Sequence, residues 1–166
     1  LCAAPLLPTV EGDPQQRITG GAAANITADR SLITGDPPVY QFNGNVRLQR
    51  GDQTIRAQTL RYDSGEARVD ASGDISLLQS DLLIAGERAR YWLAEERGEF
   101  EAVSDYRVAI GHMQGRAARI VRTGPARSRY ERLTLSTCLP DNEFWQLRAA
   151  RATINTDTRQ GRAWNT

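Results

Sequence analysis

An eight-residue motif recurs along this 166-residue chain at a constant interval. Its three clearest copies begin at Ile55, Ile84 and Met113, and the two separations between them are equal. We call this separation the repeat interval. A looser copy begins at Leu147, after a longer separation, and residues 24–32 indicate one more copy near the N-terminus. A period of this length is typical of chains in which one supersecondary unit stacks on the next, because a single unit cannot bury its own apolar face. The repeat therefore predicts a stacked fold.

Within each copy the apolar residues stand at the first, sixth and eighth positions, as in Ile55, Leu60 and Tyr62. Alternate residues of a strand face opposite sides of a sheet, so a change from odd to even positions needs a bulge or a bend. Turn residues separate the alternating runs about every 8–12 residues. The pattern predicts an all-β fold, in which units of strand, bend, strand, turn and strand build two walls with facing apolar sides.

Residues 81–96 allow a second interpretation, because their Ala, Leu and Glu content would suit an amphipathic helix. A helix there would break the alignment with residues 55–62, whose composition disfavours a helix. We therefore expect strands. No linker divides the repeats, so we expect one domain over residues 20–160. An extended, Pro-containing arm is expected over residues 1–19, and a connecting segment is expected to begin at 161–166.

The alternation assigns nineteen side chains to the inside, which we call the interior set. They fill a closed core, or they line a long apolar slot if the stack stays open along one side. Such a slot would suit acyl chains, so these are the candidate lipid-binding residues. The alternation alone does not separate the two arrangements. The interior set is Val46, Leu48, Ile55, Leu60, Tyr62, Val69, Ile75, Leu77, Leu82, Ile84, Tyr91, Phe100, Tyr106, Val108, Ile110, Met113, Ile120, Leu133 and Leu135.

The residue types argue against catalysis. The single histidine, His112, lies in a predicted turn, and the two cysteines are far apart and form no CxxC motif. The chain has no Gly-rich phosphate loop, no GxSxG elbow and no HExxH helix. We therefore expect no metal ion, no cofactor and no enzymatic activity. A carbohydrate-active β-domain would need two carboxylates flanking a cleft, and no such pair stands out.

The positive charge is concentrated in the C-terminal part. All 21 basic residues are Arg, and residues 105–166 hold 11 of them against 5 acidic residues. Several of the arginines between 116 and 132 occupy outward positions, which is typical of a solvated face. An anionic lipid or protein partner is the second interpretation. Nucleic acid is not expected, because Tyr130 is the one aromatic residue there that could stack on a base. These arginines are Arg116, Arg119, Arg122, Arg127, Arg129 and Arg132.

The segment Gly44-Asn-Val-Arg-Leu48, followed by residues 55–62, resembles the repeat unit of the periplasmic OstA-type β-domains of the lipopolysaccharide-transport proteins LptA, LptC and LptD. The resemblance covers roughly residues 20–166. It is greatest to the N-terminal domains of the LptD branch, on Cys2, on Cys138 and on the closing stretch 145–166. It implies a twisted, V-shaped β-jelly roll of stacked repeats of about 30 residues, open at its ends.

The same resemblance implies a transport role on the periplasmic side of the outer membrane. Each methylene exposed to water costs about 0.8 kcal/mol, so a lipid with several acyl chains cannot cross an aqueous compartment unshielded. The domain would shield these chains and pass lipopolysaccharide from a periplasmic bridge to a transmembrane barrel. The alternative is a periplasmic β-solenoid with a closed core, which serves only as a structural or protein-binding module.

Partners and cysteine pairing follow from the resemblance as well. The unpaired strand edge at Ala24, Ile26 and Ala28 is a template for an added strand, and the resemblance suggests an LptA-type bridge protein there. The resemblance further implies two other partners, which are the protein's own C-terminal barrel and the lipoprotein plug LptE. Cys2 and Cys138 would pair with cysteines beyond residue 166. In this chain alone we therefore expect two free thiols, or an adventitious or disordered arrangement, rather than a native bridge between Cys2 and Cys138.

Overall fold

The computed structural model describes residues 7–8, 23–139 and 144–165, apart from the side chain of Ile110. The described residues form eleven strands and a 3-10 turn at Ile110–His112. The strands are β1 (Asn25–Thr27), β2 (Arg30–Thr34), β3 (Val39–Arg50), β4 (Gln53–Asp63), β5 (Arg68–Gln79), β6 (Leu82–Trp92), β7 (Arg97–Val108), β8 (Met113–Thr123), β9 (Arg127–Leu135), β10 (Leu147–Asn155) and β11 (Gln160–Trp164).

All eleven strands belong to one antiparallel sheet that does not close into a barrel. From β3 onwards each strand pairs with the next along the chain. Strands β1 and β2 both pair with β3, at its two different halves. The all-β prediction is confirmed, and because β6 covers most of residues 81–96, the helical interpretation of that segment is wrong.

The predicted bend is present. In β4, Ile55 and Ala57 are buried before the bend and Leu60 is buried after it, so the inward face changes from odd to even numbers. Each strand pair from β3 to β8 carries a register shift near its middle. The shifts lie between Asn43 and Val46, Arg56 and Thr59, Ser72 and Ile75, Ala85 and Arg88, and Val103 and Tyr106.

The aligned shifts divide the sheet into two walls. Wall 1 is built from residues 39–43, 59–63, 68–72, 88–92, 97–101, 119–123, 127–131 and 151–155. Wall 2 is built from residues 46–50, 53–57, 75–79, 82–86, 103–108, 113–117, 133–135 and 147–149.

A hydrogen bond between the walls shows that the sheet is folded over. Gln53 lies level with Leu82 across the strands, and Leu82 is nine residues from Tyr91 along β6. In a flat sheet those nine residues would span about 30 Å. The Gln53 side-chain amide nevertheless donates to the Tyr91 hydroxyl at 3.0 Å. The two walls therefore face each other, joined along the line of bulges, as the two-walled prediction requires.

The expected arm at residues 1–19 lies outside the described residues, except for Leu7 and Pro8. Residues 161–164, where a connection was expected to begin, are part of β11 and pair with β10. The proposed domain boundaries stay predictions.

Candidate functional site between the two walls

The structure places most of the interior set between the walls. Fifteen of the nineteen side chains are buried. Tyr62, Met113 and Leu135 are partly buried and pack against the others. The side chain of Ile110 lies outside the described part of the structure. The fifteen are Val46, Leu48, Ile55, Leu60, Val69, Ile75, Leu77, Leu82, Ile84, Tyr91, Phe100, Tyr106, Val108, Ile120 and Leu133.

Side chains from opposite walls are in direct contact. The rings of Tyr106 in wall 2 and Tyr130 in wall 1 have centroids 5.0 Å apart. The Tyr106 hydroxyl donates to the backbone carbonyl of Thr134 at 2.7 Å. Burial raises the pKa of Tyr106, and it raises the pKa of Tyr130 to about 12. The two walls are thus packed together near the line of bulges. An acyl chain could enter there only if the walls separated.

Buried polar side chains, among them Arg50, Gln53, Gln79 and Arg122, lie at the free ends of the walls, opposite the line of bulges. We call these four residues the rim row. Arg50 donates to the backbone carbonyl of Leu93 at 2.6 Å. Arg122 donates to the side-chain oxygen of Gln79 at 2.5 Å and to the Pro125 carbonyl at 3.0 Å. The bonds from Arg50 to Leu93, from Arg122 to Gln79 and from Gln53 to Tyr91 join wall 2 to wall 1.

The sequence analysis missed the rim row, although a signal was present. Arg50 continues the inward alternation of Val46 and Leu48, and Gln79 continues that of Ile75 and Leu77. A polar residue at an inward position is expected to need a partner once it is buried. Arg122 is only 4% exposed, so its assignment to a solvated arginine face is wrong.

Beyond the rim row the walls leave open space. A crevice of about 20 Å³ lies where Leu82 and Val108 meet Arg122 and Tyr130. Farther towards the C-terminal edge, Met113 and Ile154 line a larger cavity of about 490 Å³. Its other residues come from Gly111, the end of β10, the start of β11 and the turn between these two strands. The C-terminal end of the described sheet therefore holds a cavity between the walls.

The outer face of wall 1 carries opposite charges on neighbouring strands. Arg90 donates to Asp70 at 2.9 Å, and Arg119 donates to Glu99 at 2.7 Å. These partners raise the pKa of both arginines. Arg88 lies 3.3 Å from Glu101. Opposite charges on neighbouring strands stabilise a sheet, so part of the predicted arginine face is engaged in ion pairs within the sheet.

The predicted partner edge is formed by β1 and β2. Ile26 pairs with Leu48 of β3, and both Ile26 and Ala28 pack against the core. Ala24 is exposed and precedes β1. Within the described residues, β1 and β2 pair with β3 alone, so their outer edges carry no strand. Exposed Leu32 and Ile33 add apolar surface to this edge.

Cys138 differs from the expectation for this chain. It is fully buried and disulfide-bonded, and the described residues contain no free cysteine. The expectation of a free thiol is therefore wrong for Cys138. Cys2 lies outside the described residues. The implied pairing of both cysteines with positions beyond residue 166 stays a prediction.

In the described part of the chain, no group of His, Cys, Asp and Glu has the arrangement of a metal site. No helix there is long and apolar enough to cross a membrane.

The chain is an all-β protein with one open antiparallel sheet, folded into two walls whose apolar sides face each other. A family model described as "LptA/(LptD N-terminal domain) LPS transport protein" matches residues 25–160. The chain therefore belongs to this family of lipopolysaccharide transport proteins, in agreement with the expectation of a transport protein rather than an enzyme.

The similar curated proteins are named LPS-assembly protein LptD. The one from Alkalilimnicola ehrlichii is 32% identical over 98% of this chain, which spans 22% of that relative. The one from Acinetobacter baylyi is 28% identical over 98% of this chain and 19% of its own length. The chain thus spans about a fifth of these relatives. Among solved structures, LptH from Pseudomonas aeruginosa is 12% identical, with a TM-score of 0.49 over 89% of this chain and 85% of LptH.

Proposed function

We propose that this domain carries lipopolysaccharide on the periplasmic side of the outer membrane, with the acyl chains shielded between the two walls. The observation that supports this most is the apolar interior between two walls, which within the described strands are connected through the bulges. Such an interior can widen without breaking the strand pairing within either wall. Membership of a lipopolysaccharide-transport family supplies the ligand class.

The stacked repeats suit movement of a lipid along the interior. Equivalent aliphatic positions recur once in each repeat, as at Ile55 and Ile84, so an acyl chain would meet similar surroundings at each step. Apolar contacts are non-directional and impose no fixed register on the chain. Phosphorylated sugars would remain outside the walls, where arginine side chains can pair with phosphate.

The partners follow the same proposal. An LptA-type bridge protein would add a strand to the outer edge of β1 and deliver lipopolysaccharide there. The protein's own C-terminal barrel, together with the lipoprotein LptE, would receive it at the other end. The cavity at Met113 and Ile154 is consistent with an exit at that end. Disulfides from Cys2 and Cys138 to positions beyond residue 166 would hold the exit against the barrel.

Photo-crosslinking tests the proposed path. A benzophenone amino acid placed at Ile84, Val108 or Leu133 is expected to capture lipopolysaccharide, because these side chains lie between the walls. The matched controls are Arg47 and Arg68, which alternate with inward residues on β3 and β5 and point away from the interior. Labelled adducts are counted on denaturing gels after irradiation with lipopolysaccharide.

The result also decides between the two candidate functions. The packed interior of this conformation is the observation that favours a closed-core module for structure or protein binding. Equal labelling at interior and control positions, or none at any position, would favour that module over lipid transport. Labelling confined to the interior positions would support transport.

A further inference from the structure

The rim row repeats with the period of the sheet. Arg50 is bonded to the carbonyl of Leu93, and Gln79 is bonded to Arg122. The two partners are 43 residues apart in both pairs, and the second pair follows the first by one repeat interval. In these two repeats, the last residue of β3 or β5 therefore contacts the free end of the opposite wall. We call these two contacts the first and second stations.

At the equivalent position of the next repeat, which we call the third station, the described residues provide no side-chain hydrogen bond like those of the first two. Val108 follows Gln79 by one repeat interval and ends β7 as Gln79 ends β5. Its aliphatic side chain can neither donate nor accept a hydrogen bond. Val108 lines the small crevice between the walls, beside Tyr130 and Thr156. The larger cavity at Met113 and Ile154 lies next along the stack. The hydrogen bonds of the rim row thus lie at the first two stations, and the cavity lies beyond them.

The chemistry of the rim row suits a closure that opens. When two apolar surfaces separate, both become exposed to water at a cost proportional to their area. When hydrogen-bonded polar groups separate at a rim, water replaces their lost partners. Gln53 Oε1 and Arg122 Nε are buried without a hydrogen-bond partner in the described structure. Solvation of these two atoms on opening would therefore favour the open state.

We propose that the rim row is a latch, which closes the side of the interior over the first two repeats and must open before an acyl chain can occupy them. The third station lacks the latch and gives sideways access to the cavity at Met113 and Ile154. This inference rests on the proposed function, because it concerns access to the same interior. It assigns Gln79 and Arg122 a gating role that a merely structural pair would not have.

A reversible lock tests the latch. Gln79→Cys and Arg122→Cys are combined in a chain with Cys2→Ala and Cys138→Ala, and the new thiols are joined by a bifunctional methanethiosulfonate reagent that reduction removes. The benzophenone amino acid at Ile84 reports on the latched stretch, and at Val108 it reports on the unlatched one. Locking is expected to lower lipopolysaccharide labelling at Ile84 on the order of tenfold, leaving Val108 little changed, because the open state is withdrawn from the equilibrium.

The matched control uses the same reagent within one wall. Arg88→Cys and Glu101→Cys join two directly paired residues on the outer face of wall 1. This link is expected to leave labelling at Ile84 unchanged, and reduction of the latch-locked chain is expected to restore it. Equal labelling of the locked and reduced chains at Ile84 would overturn the latch and leave the proposed function standing. Absence of labelling in every form would overturn both.

Unlatching provides a second measurement that needs no lipid. Arg122→Ala removes the bonds to Gln79 and Pro125, and it is expected to accelerate amide hydrogen exchange in β5 and β6 severalfold. Arg119→Ala on the same strand removes a partly buried ion pair with Glu99 on the outer face of wall 1 and is the control. Exchange in β5 and β6 that is the same in both variants would contradict the latch. The lock experiment decides the question if Arg122→Ala does not fold.

Discussion

Three residues, each one repeat interval from the next, share an unusual backbone conformation at the bulges. Gly44 and Gly73 both have φ of 78°, and Ala102 has φ of 49°. Glycine adopts this left-handed region without steric cost, whereas a residue with a Cβ does not. A Cβ on Gly73 would lie 2.8 Å from the Cβ of Gln58, so the glycine is also required by close packing. The third repeat therefore has a strained residue where the first two have glycine.

Replacing the strained residue is expected to stabilise the fold. Ala102→Gly should raise the free energy of unfolding by about 0.5–1 kcal/mol, because relief of the left-handed strain exceeds the added entropy of the unfolded chain. Ala102 is exposed, so no cavity forms. Gly73→Ala should lower the free energy of unfolding by at least about 1–2 kcal/mol. Equilibrium urea denaturation measures both changes.

The control for these changes is Ala85→Gly, at an outward position of β6 that is not among the residues with positive φ. This substitution is expected to destabilise, because glycine in a strand interior loses more entropy on folding than alanine. A destabilising Ala102→Gly of the same size as Ala85→Gly would show that the left-handed conformation carries no strain.

At the scale of strands, the sequence predicted the repeat and its bend correctly, and the reason is physical. The change of parity between Ile55 and Leu60 cannot be satisfied by a straight strand, so it fixes the bend. Parity does not give the angle between the two walls. Whether the interior is packed depends on contacts such as Gln53 with Tyr91, between residues that are far apart in the chain. The burial of Arg122 was missed for the same reason.

The edge strand β1 gives a prediction about partner docking. Proline at Ile26 or Ala28 removes a backbone N–H, so strand addition at this edge should weaken. The expected result is a loss of affinity for an LptA-type bridge protein on the order of tenfold, which corresponds to about 1.4 kcal/mol. Biolayer interferometry with the immobilised bridge protein measures it.

Two controls separate docking from folding in this experiment. Each proline variant is checked for an unchanged melting temperature, since Ile26 also packs against the core. Proline at Ala163 in β11 places the same change on the opposite edge of the sheet, where the proposal puts no bridge protein. If only the β11 variant lost affinity, the docking edge would be the C-terminal one.

At the scale of the whole molecule, the two walls form one apolar unit whose stability depends on buried tyrosines. Tyr106 and Tyr130 meet across the interior, and Tyr91 anchors the rim row through Gln53. Burial is the main cause of the raised pKa of all three hydroxyls. Their ionisation would place negative charge between the walls, where water does not reach it. Ionisation of these hydroxyls therefore favours separation of the walls, and separation of the walls lowers the pKa of the hydroxyls.

This linkage predicts a loss of stability at alkaline pH. An unfolded tyrosine ionises near its ordinary pKa of 10, whereas folded Tyr130 retains its proton until about pH 12. Between these values the folded state binds more protons, so the free energy of unfolding falls as pH rises, by up to about 1.4 kcal/mol per pH unit for each such tyrosine. Below pH 10 this contribution is fully present. Urea denaturation of the wild-type chain at pH 8, 10 and 11 should show the decline, and Tyr130→Phe should show a shallower one. An identical decline in the two proteins would mean that Tyr130 ionises in the folded state as it does in the unfolded chain.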